Sequence, residues 1–296
     1  MRDSELKLPA YGGQAVIEGV MMRGKRYVAI AMRDPENNIV IHQEELGGIY
    51  KSRLAKIPFL RGMVMLWDAL GLGIRALTIS ANTQTGEEEK IEGPAMFFTL
   101  LVSLAFGIGL FFLAPATIGQ LSEQVLGLNA WGGNLIEGLV RLFLLVAYIA
   151  LVGLIPDIQR VFAYHGAEHK TINAFEANAD LTPETVSQYS LEHPRCGTAF
   201  LLTLVLISVV LFTLLGPLPL SWRLASRIVL LPVLAGLAYE YIRWTANHLD
   251  SPIVSRLVKP NLALQHLTTR EPSLDMLEVS IAAFNAMQVG ERGIVT

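Results

Sequence analysis

From Ala95 to Gly119 the chain carries no charged residue, and an uncharged run of that length admits few folds. At about 1.5 Å of rise per residue it makes a helix long enough to cross the hydrocarbon of a bilayer. Three further apolar stretches follow, at about Leu135 to Ile155, Gly197 to Leu215 and Ile228 to Thr245, the one ending at Leu215 closed by Gly216-Pro217-Leu218-Pro219. Composition agrees, with 52% hydrophobic against 17% charged residues in a chain of 296, a balance unlike that of a soluble domain. The expected fold is therefore mainly α, a polytopic membrane protein with four transmembrane helices. Glu137 and Arg141, spaced i and i+4 near the start of the second span, are predicted to pair and to snorkel toward the interface.

Lysine and arginine flank the spans unevenly. The connection from Gln120 to Asn134 has none, whereas the amino-terminal region and the segment after the second span have several. That bias places both termini in the cytoplasm and the chain in the cell (inner) membrane. Arg223 and Arg227, between the third and fourth spans, weaken the bias without reversing it. Met1 to Pro9 is charged and shows no signal-peptide pattern, so the first span is expected to serve as the anchor. A net charge of −3 without a basic aromatic patch argues against nucleic acid as a partner; the bilayer is the expected one. The single cysteine, Cys196, excludes an internal disulfide.

Four regions follow. Residues 1–58 form a small cytoplasmic module with a β-hairpin, Tyr27 to Arg33 and Ile39 to Glu45 around the turn-rich Asp34-Pro35-Glu36-Asn37-Asn38. Residues 59–94 hold a helix over Leu60 to Ala81 and an acidic linker at Gly86 to Lys90. Arg61, Asp68 and Arg75 recur on that helix every seven residues, so it is expected to lie along the membrane interface or to turn its charged stripe inward, with Asp68 paired to an arginine. Residues 95–247 contain the four spans and a cytoplasmic loop, 157–196; Glu240 near the end of the last span is expected to pair with Arg243 at i+3. Residues 248–296 form a cytoplasmic helical tail, its amphipathic helix capped by Ser273.

The loop holds Tyr164-His165-Gly166-Ala167-Glu168-His169-Lys170. On a helix, His165 and His169 at i and i+4 and Glu168 at i+3 project from neighbouring turns, the His-x-x-Glu-His pattern. Two imidazoles of that spacing hold a divalent metal, zinc first among them, and the carboxylate can act as the base for water. The third ligand is open between Glu176, two turns further on, and His193 or Cys196 in His193-Pro194-Arg195-Cys196. Against this stands the plainer reading of a solvated polar helix face. Gly166 within the motif costs a helix about 1 kcal/mol relative to alanine, which leaves open a turn of different geometry.

Gly12-Gly13-Gln14-Ala15-Val16-Ile17-Glu18-Gly19-Val20-Met21-Met22-Arg23-Gly24, Ile57-Pro58-Phe59-Leu60-Arg61-Gly62, Gly166-Ala167-Glu168-His169-Lys170-Thr171, His193-Pro194-Arg195-Cys196-Gly197-Thr198 and Leu267-Thr268-Thr269-Arg270-Glu271-Pro272 occur in that order. Together they resemble the YqhQ-like family of bacterial membrane proteins, over about Tyr11 to Ala286. The resemblance implies a membrane topology and a suspected metal-dependent activity matched at Glu168, His169, His193 and Cys196, and it supplies no substrate. The expected function is a metal-dependent hydrolase working at the cytoplasmic membrane surface on a peptide or a lipid-linked phosphate or ester. The rivals are a non-catalytic scaffold that binds a cytoplasmic or membrane partner, and a small transporter built around Glu137, Arg141 and Glu240. Oligomeric state has no signature in the sequence.

Overall fold

The computed structural model describes residues 11–47, 57–85 and 94–293. Met1 to Pro9, the acidic linker at Gly86 to Lys90 and the Asp68 side chain lie outside the description.

Four strands, β1 (Gly12–Val16), β2 (Gly19–Arg23), β3 (Tyr27–Arg33) and β4 (Ile39–Glu45), form an antiparallel meander in the order β1-β2-β3-β4. The expected hairpin is β3 with β4; the glycine-rich stretch before it adds two more strands, joined through Ile17 and Glu18, the latter at φ +52°. The two inner strands, β2 and β3, read as nearly unbroken apolar runs because both of their faces are covered. Val20, Met22, Ala29 and Ala31 face Val279, Ala283, Phe284 and Met287 of a carboxyl-terminal helix. The alternate residues Met21, Val28, Ile30 and Met32 face Leu72, Ala76 and Ile79 of α1 (Leu60–Thr85).

That second face gives α1 a partner that its charged stripe does not reveal. Its carboxyl-terminal half lies on the sheet, with Ser80 Oγ receiving the Ile17 N–H at 3.3 Å. Its first turns pack on α9 (Leu231–Ala246), where a Cβ at Gly62 would stand 3.0 Å from the Gly236 Cα. Its charged stripe is divided: Arg61 pairs with Glu240, and Arg75 pairs with Glu44 at 2.7 Å. Glu240 thus binds a distant arginine rather than Arg243, since α1 and α9 touch where Gly62 removes the side chain between them.

The remaining helices are α2 (Pro94–Ile108), α3 (Ala114–Leu126), α4 (Ala130–Val152), α5 (Pro156–Glu176), α6 (Pro183–Val186), α7 (Gly197–Leu214), α8 (Leu220–Val229), α10 (Pro252–Thr268) and α11 (Leu274–Arg292), the helix on the sheet. A π-helical turn, Gly109–Leu113, joins α2 to α3. Three helical stretches among the described residues, Met96–Leu126, Ala130–Val152 and Gly197–Leu214, are long and apolar enough to cross a membrane; α8 with α9, bent by 48°, makes a fourth if the pair is one span. Leu145 and Ile149 of α4, Leu202 and Val205 of α7 and Leu264 of α10 form their common core.

The polar residues of this bundle also depart from expectation. Glu137 and Arg141 do not snorkel: both side chains are 1% exposed. They are held inside by Arg227 of α8, which binds the same carboxylate. Arg223 and Arg227 are therefore not loop charges; α8 is a short amphipathic helix that carries both inward, each buried.

Candidate metal centre

α5 starts with Pro156 at its first position and Asp157 in its first turn, both favourable at a helix N-terminus. It continues through Gly166 without a break, which settles the alternative of a turn. The glycine has a packing reason, because a Cβ there would lie 2.2 Å from the Arg270 carbonyl oxygen. The segment after α10 crosses α5 at that point, with the Arg270 N–H donating to Phe162 O at 2.9 Å. Buried Lys170 fastens the crossing: its ammonium pairs with Glu271 at 2.8 Å and donates to Ser187 O at 2.6 Å.

A second segment, between α6 and α7, wraps the same face. Asn173 donates to Ser190 O and Glu192 O, and buried Gln265 of α10 grips the His193 backbone in both directions, accepting its N–H at 2.9 Å and donating to its carbonyl at 2.8 Å. Three parts of the chain distant in sequence thus meet over one turn of α5.

There the ligand atoms of His165, His169 and Cys196 lie within 4.8 Å of one another. The His165 Nδ1 faces the Thr268 carbonyl at 2.9 Å and the His169 Nδ1 faces the Leu191 carbonyl. A carbonyl can only accept, so each Nδ1 carries the proton and each Nε2 presents a lone pair. His165 Nε2 stands 3.2 Å from the Cys196 sulfur, whereas His169 Nε2 is buried with no hydrogen-bond partner among the described residues. Cys196 is the N-cap of α7, its sulfur facing the Thr198 N–H at 3.4 Å and hydroxyl at 3.1 Å.

The other residues singled out by sequence are placed around this group. His193, 3% exposed, has an unpartnered Nε2, and its ring centre is 5.7 Å from that of His169. Burial foremost holds its imidazole below the ordinary value, against the opposing carboxylate of Glu176. Glu176 itself is turned to Arg195 and stands 3.8 Å from His193 Nε2, outside the ligand group. Glu168 is buried on the β1 side of α5, over Gly13. Burial pushes its carboxyl up to about 7, with His165 and the Gly13 N–H opposing.

Two imidazoles and one thiolate make a borderline-soft donor set that suits zinc, and anchoring each Nδ1 to a carbonyl is the usual support of a metal-binding histidine. The orphaned His169 Nε2 completes the fit, since a buried ring nitrogen without a partner is costly unless something binds it. Residue types alone do not reveal the Leu191 and Thr268 carbonyls, Gln265 or Lys170 as supports. The one signal in the sequence is the motif around Thr268-Thr269-Arg270-Glu271, whose role is to cross α5.

Residues 57–289 match the family described as "Protein of unknown function (DUF1385)". The chain is 36% identical, over 94% of its length and 92% of the relative's, to "Uncharacterized protein YqhQ" of Bacillus subtilis, in agreement with the resemblance carried by the motifs. No solved structure matches.

Proposed function

The chain belongs to the DUF1385 family, a membership that brings no activity with it, and from the geometry we propose that it is a multipass membrane protein holding one divalent metal, zinc by donor chemistry, between His165, His169 and Cys196. The observation that carries this reading is the buried, unpartnered His169 Nε2 facing an imidazole and a thiol. The membrane part rests on the three or four apolar helices. The bias of basic residues supports a cell-membrane location with both termini cytoplasmic, and with them the metal centre.

Three protein ligands leave a coordination position open, the arrangement of catalytic rather than structural zinc. The activity assigned is hydrolysis at the membrane surface, of a peptide or a lipid-linked phosphate or ester. Zinc bound there supplies Lewis acidity to a carbonyl or phosphoryl oxygen and acidifies water. The chain's own residues do the rest. His165 and His169 are held in one tautomer by Thr268 and Leu191, Cys196 stands at the start of α7, and Glu168, beside His169 in the motif on α5, is the carboxylate proposed to take up and return a proton.

A second reading has its own support. If His193, whose Nε2 is likewise unpartnered, supplies a fourth ligand, the site is closed and the zinc is a structural pin for a scaffold. A thiol nucleophile activated by His165 is weaker, since it leaves His169 Nε2 unused.

Metal content of the detergent-purified chain decides among these. Expected is near-stoichiometric zinc in the wild type, lost in His169→Ala and Cys196→Ala and retained in His193→Ala. Loss in His193→Ala as well selects the structural pin, and no metal in folded, zinc-reconstituted wild type sinks both metal readings.

A further inference from the structure

Toward the opposite end of the bundle, where α3 leads into α4 and α7 into α8, three guanidiniums lie buried between helices, Arg141 midway along α4 and Arg223 and Arg227 on α8. Arg141, Arg223 and Arg227 are each 1% exposed. Arg141 donates to Phe111 O at 2.9 Å, to Ser208 at 2.6 Å and to Glu137 at 2.6 Å. The carbonyl it reaches belongs to the π-helical turn, where the normal helical bonding is displaced. Arg227 grips both oxygens of the same Glu137 and stands 4.1 Å from the Phe212 ring centre. Arg223 donates one Nη2 to Glu123 at 2.5 Å and to Asn134 at 3.3 Å, while its Nη1 is buried with no partner.

Buried charges persist where they are paired. Among the described residues Glu137 answers two guanidiniums and Glu123 answers the third, so the cluster is one negative charge short, and its unused donor is on Arg223. We propose that this cluster binds a phosphodiester, the headgroup of a membrane phospholipid in the leaflet away from the metal centre. A phosphodiester brings the one missing negative charge, and its oxygens suit a guanidinium fork. Depth supports a lipid source: Trp222 beside Arg223 and Trp131 one turn before Asn134 are 69% and 64% exposed, and tryptophans of this kind sit at headgroup level. Glu123 keeps 16% of its side chain accessible, and Leu121, Val125 and Leu126 around it expose an apolar flank for an acyl chain.

The inference rests on the membrane reading, not on the metal. Native mass spectrometry of the full chain in detergent, titrated with short-chain phosphatidylglycerol, the matching diacylglycerol and inorganic phosphate, tests it. Expected is a saturable phosphatidylglycerol adduct, no diacylglycerol adduct, and binding about tenfold or more weaker in Arg223→Gln, the factor of one charge-assisted hydrogen bond. Arg223→Lys, which keeps the Glu123 pair but loses the free donor, should be weakened as well, and provides the answer if the glutamine variant does not fold. Arg256→Ala, on an exposed face, should bind like wild type. Equal binding of diacylglycerol, or wild-type binding by both Arg223 variants, overturns the proposal; saturation by inorganic phosphate without a phosphatidylglycerol adduct overturns the lipid source. A chain released from membranes by alkaline carbonate fails the membrane reading itself, whereas a chain that needs detergent and takes no phosphatidylglycerol fails only this inference.

Discussion

Gly166→Ala tests how the proposed metal centre is held. In a free helix this substitution stabilises by about 1 kcal/mol. Here the new Cβ would meet the Arg270 carbonyl oxygen at 2.2 Å and Leu191 Cδ2 at 2.8 Å, where ordinary contact begins at 3.4 Å. The crossing segment must withdraw by about 1 Å, and it is tied to α5 by two bonds of 2.9 Å, Arg270 N–H to Phe162 O and His165 Nδ1–H to Thr268 O. Losing both costs about 2 kcal/mol and overpacking adds about 1–3, so after the helix gain the variant is destabilised by roughly 2–4 kcal/mol. Zinc affinity should fall with it, because His165 loses the carbonyl that fixes its tautomer. Apparent Tm in detergent and zinc stoichiometry report the two effects separately. A variant as stable as wild type with its zinc intact would show that the segment does not bear on α5 as described.

Glu137→Gln leaves Arg141 and Arg227 without their shared carboxylate, a loss of about 3–5 kcal/mol seen as a reduced fraction surviving mild heating in detergent; adding Arg227→Met should recover part of it. Gln265→Leu strands the His193 N–H and carbonyl, both now bonded within 2.9 Å, at about 1–3 kcal/mol for each buried group, and zinc should stay bound if His193 is not a ligand. The Arg160 guanidinium foremost holds the Glu18 carboxyl below its ordinary value of 4.5. A lowered native value stabilises fully above the unfolded value and is lost as the carboxylate protonates, so thermal unfolding of wild type and Glu18→Gln should differ by a constant amount near neutrality and converge as pH falls below 4.5.

The apolar spans, the β3–β4 hairpin and the two histidines on one turn of α5 are legible in the sequence, because each follows a local period or spacing. What escapes a linear reading is long-range pairing. Arg243 at i+3 is the natural partner for Glu240 until α1 is seen against α9 and Arg61 takes the carboxylate. Arg223 and Arg227 count as loop charges until α8 is seen to turn them inward. Gly166 looks like a flaw in a helix until Arg270 is found beside it. The supports of the centre are mostly backbone carbonyls, which every residue possesses, so composition carries no trace of them. The cysteine is placed by α7, whose start depends on the wrapping segment before it.

The crossing of α5 by the segment after α10 has a consequence for how the protein is made. His165 and His169 emerge from the ribosome early, but the Thr268 carbonyl that orients His165, the Gln265 that grips His193 and the Glu271 that pairs with Lys170 are synthesised about a hundred residues later, at the translation rates of a growing chain. Until then the two imidazoles sit on a surface without a floor. The pocket around the two imidazoles is therefore completed only when the carboxyl end docks, which makes that docking the closing event of its assembly.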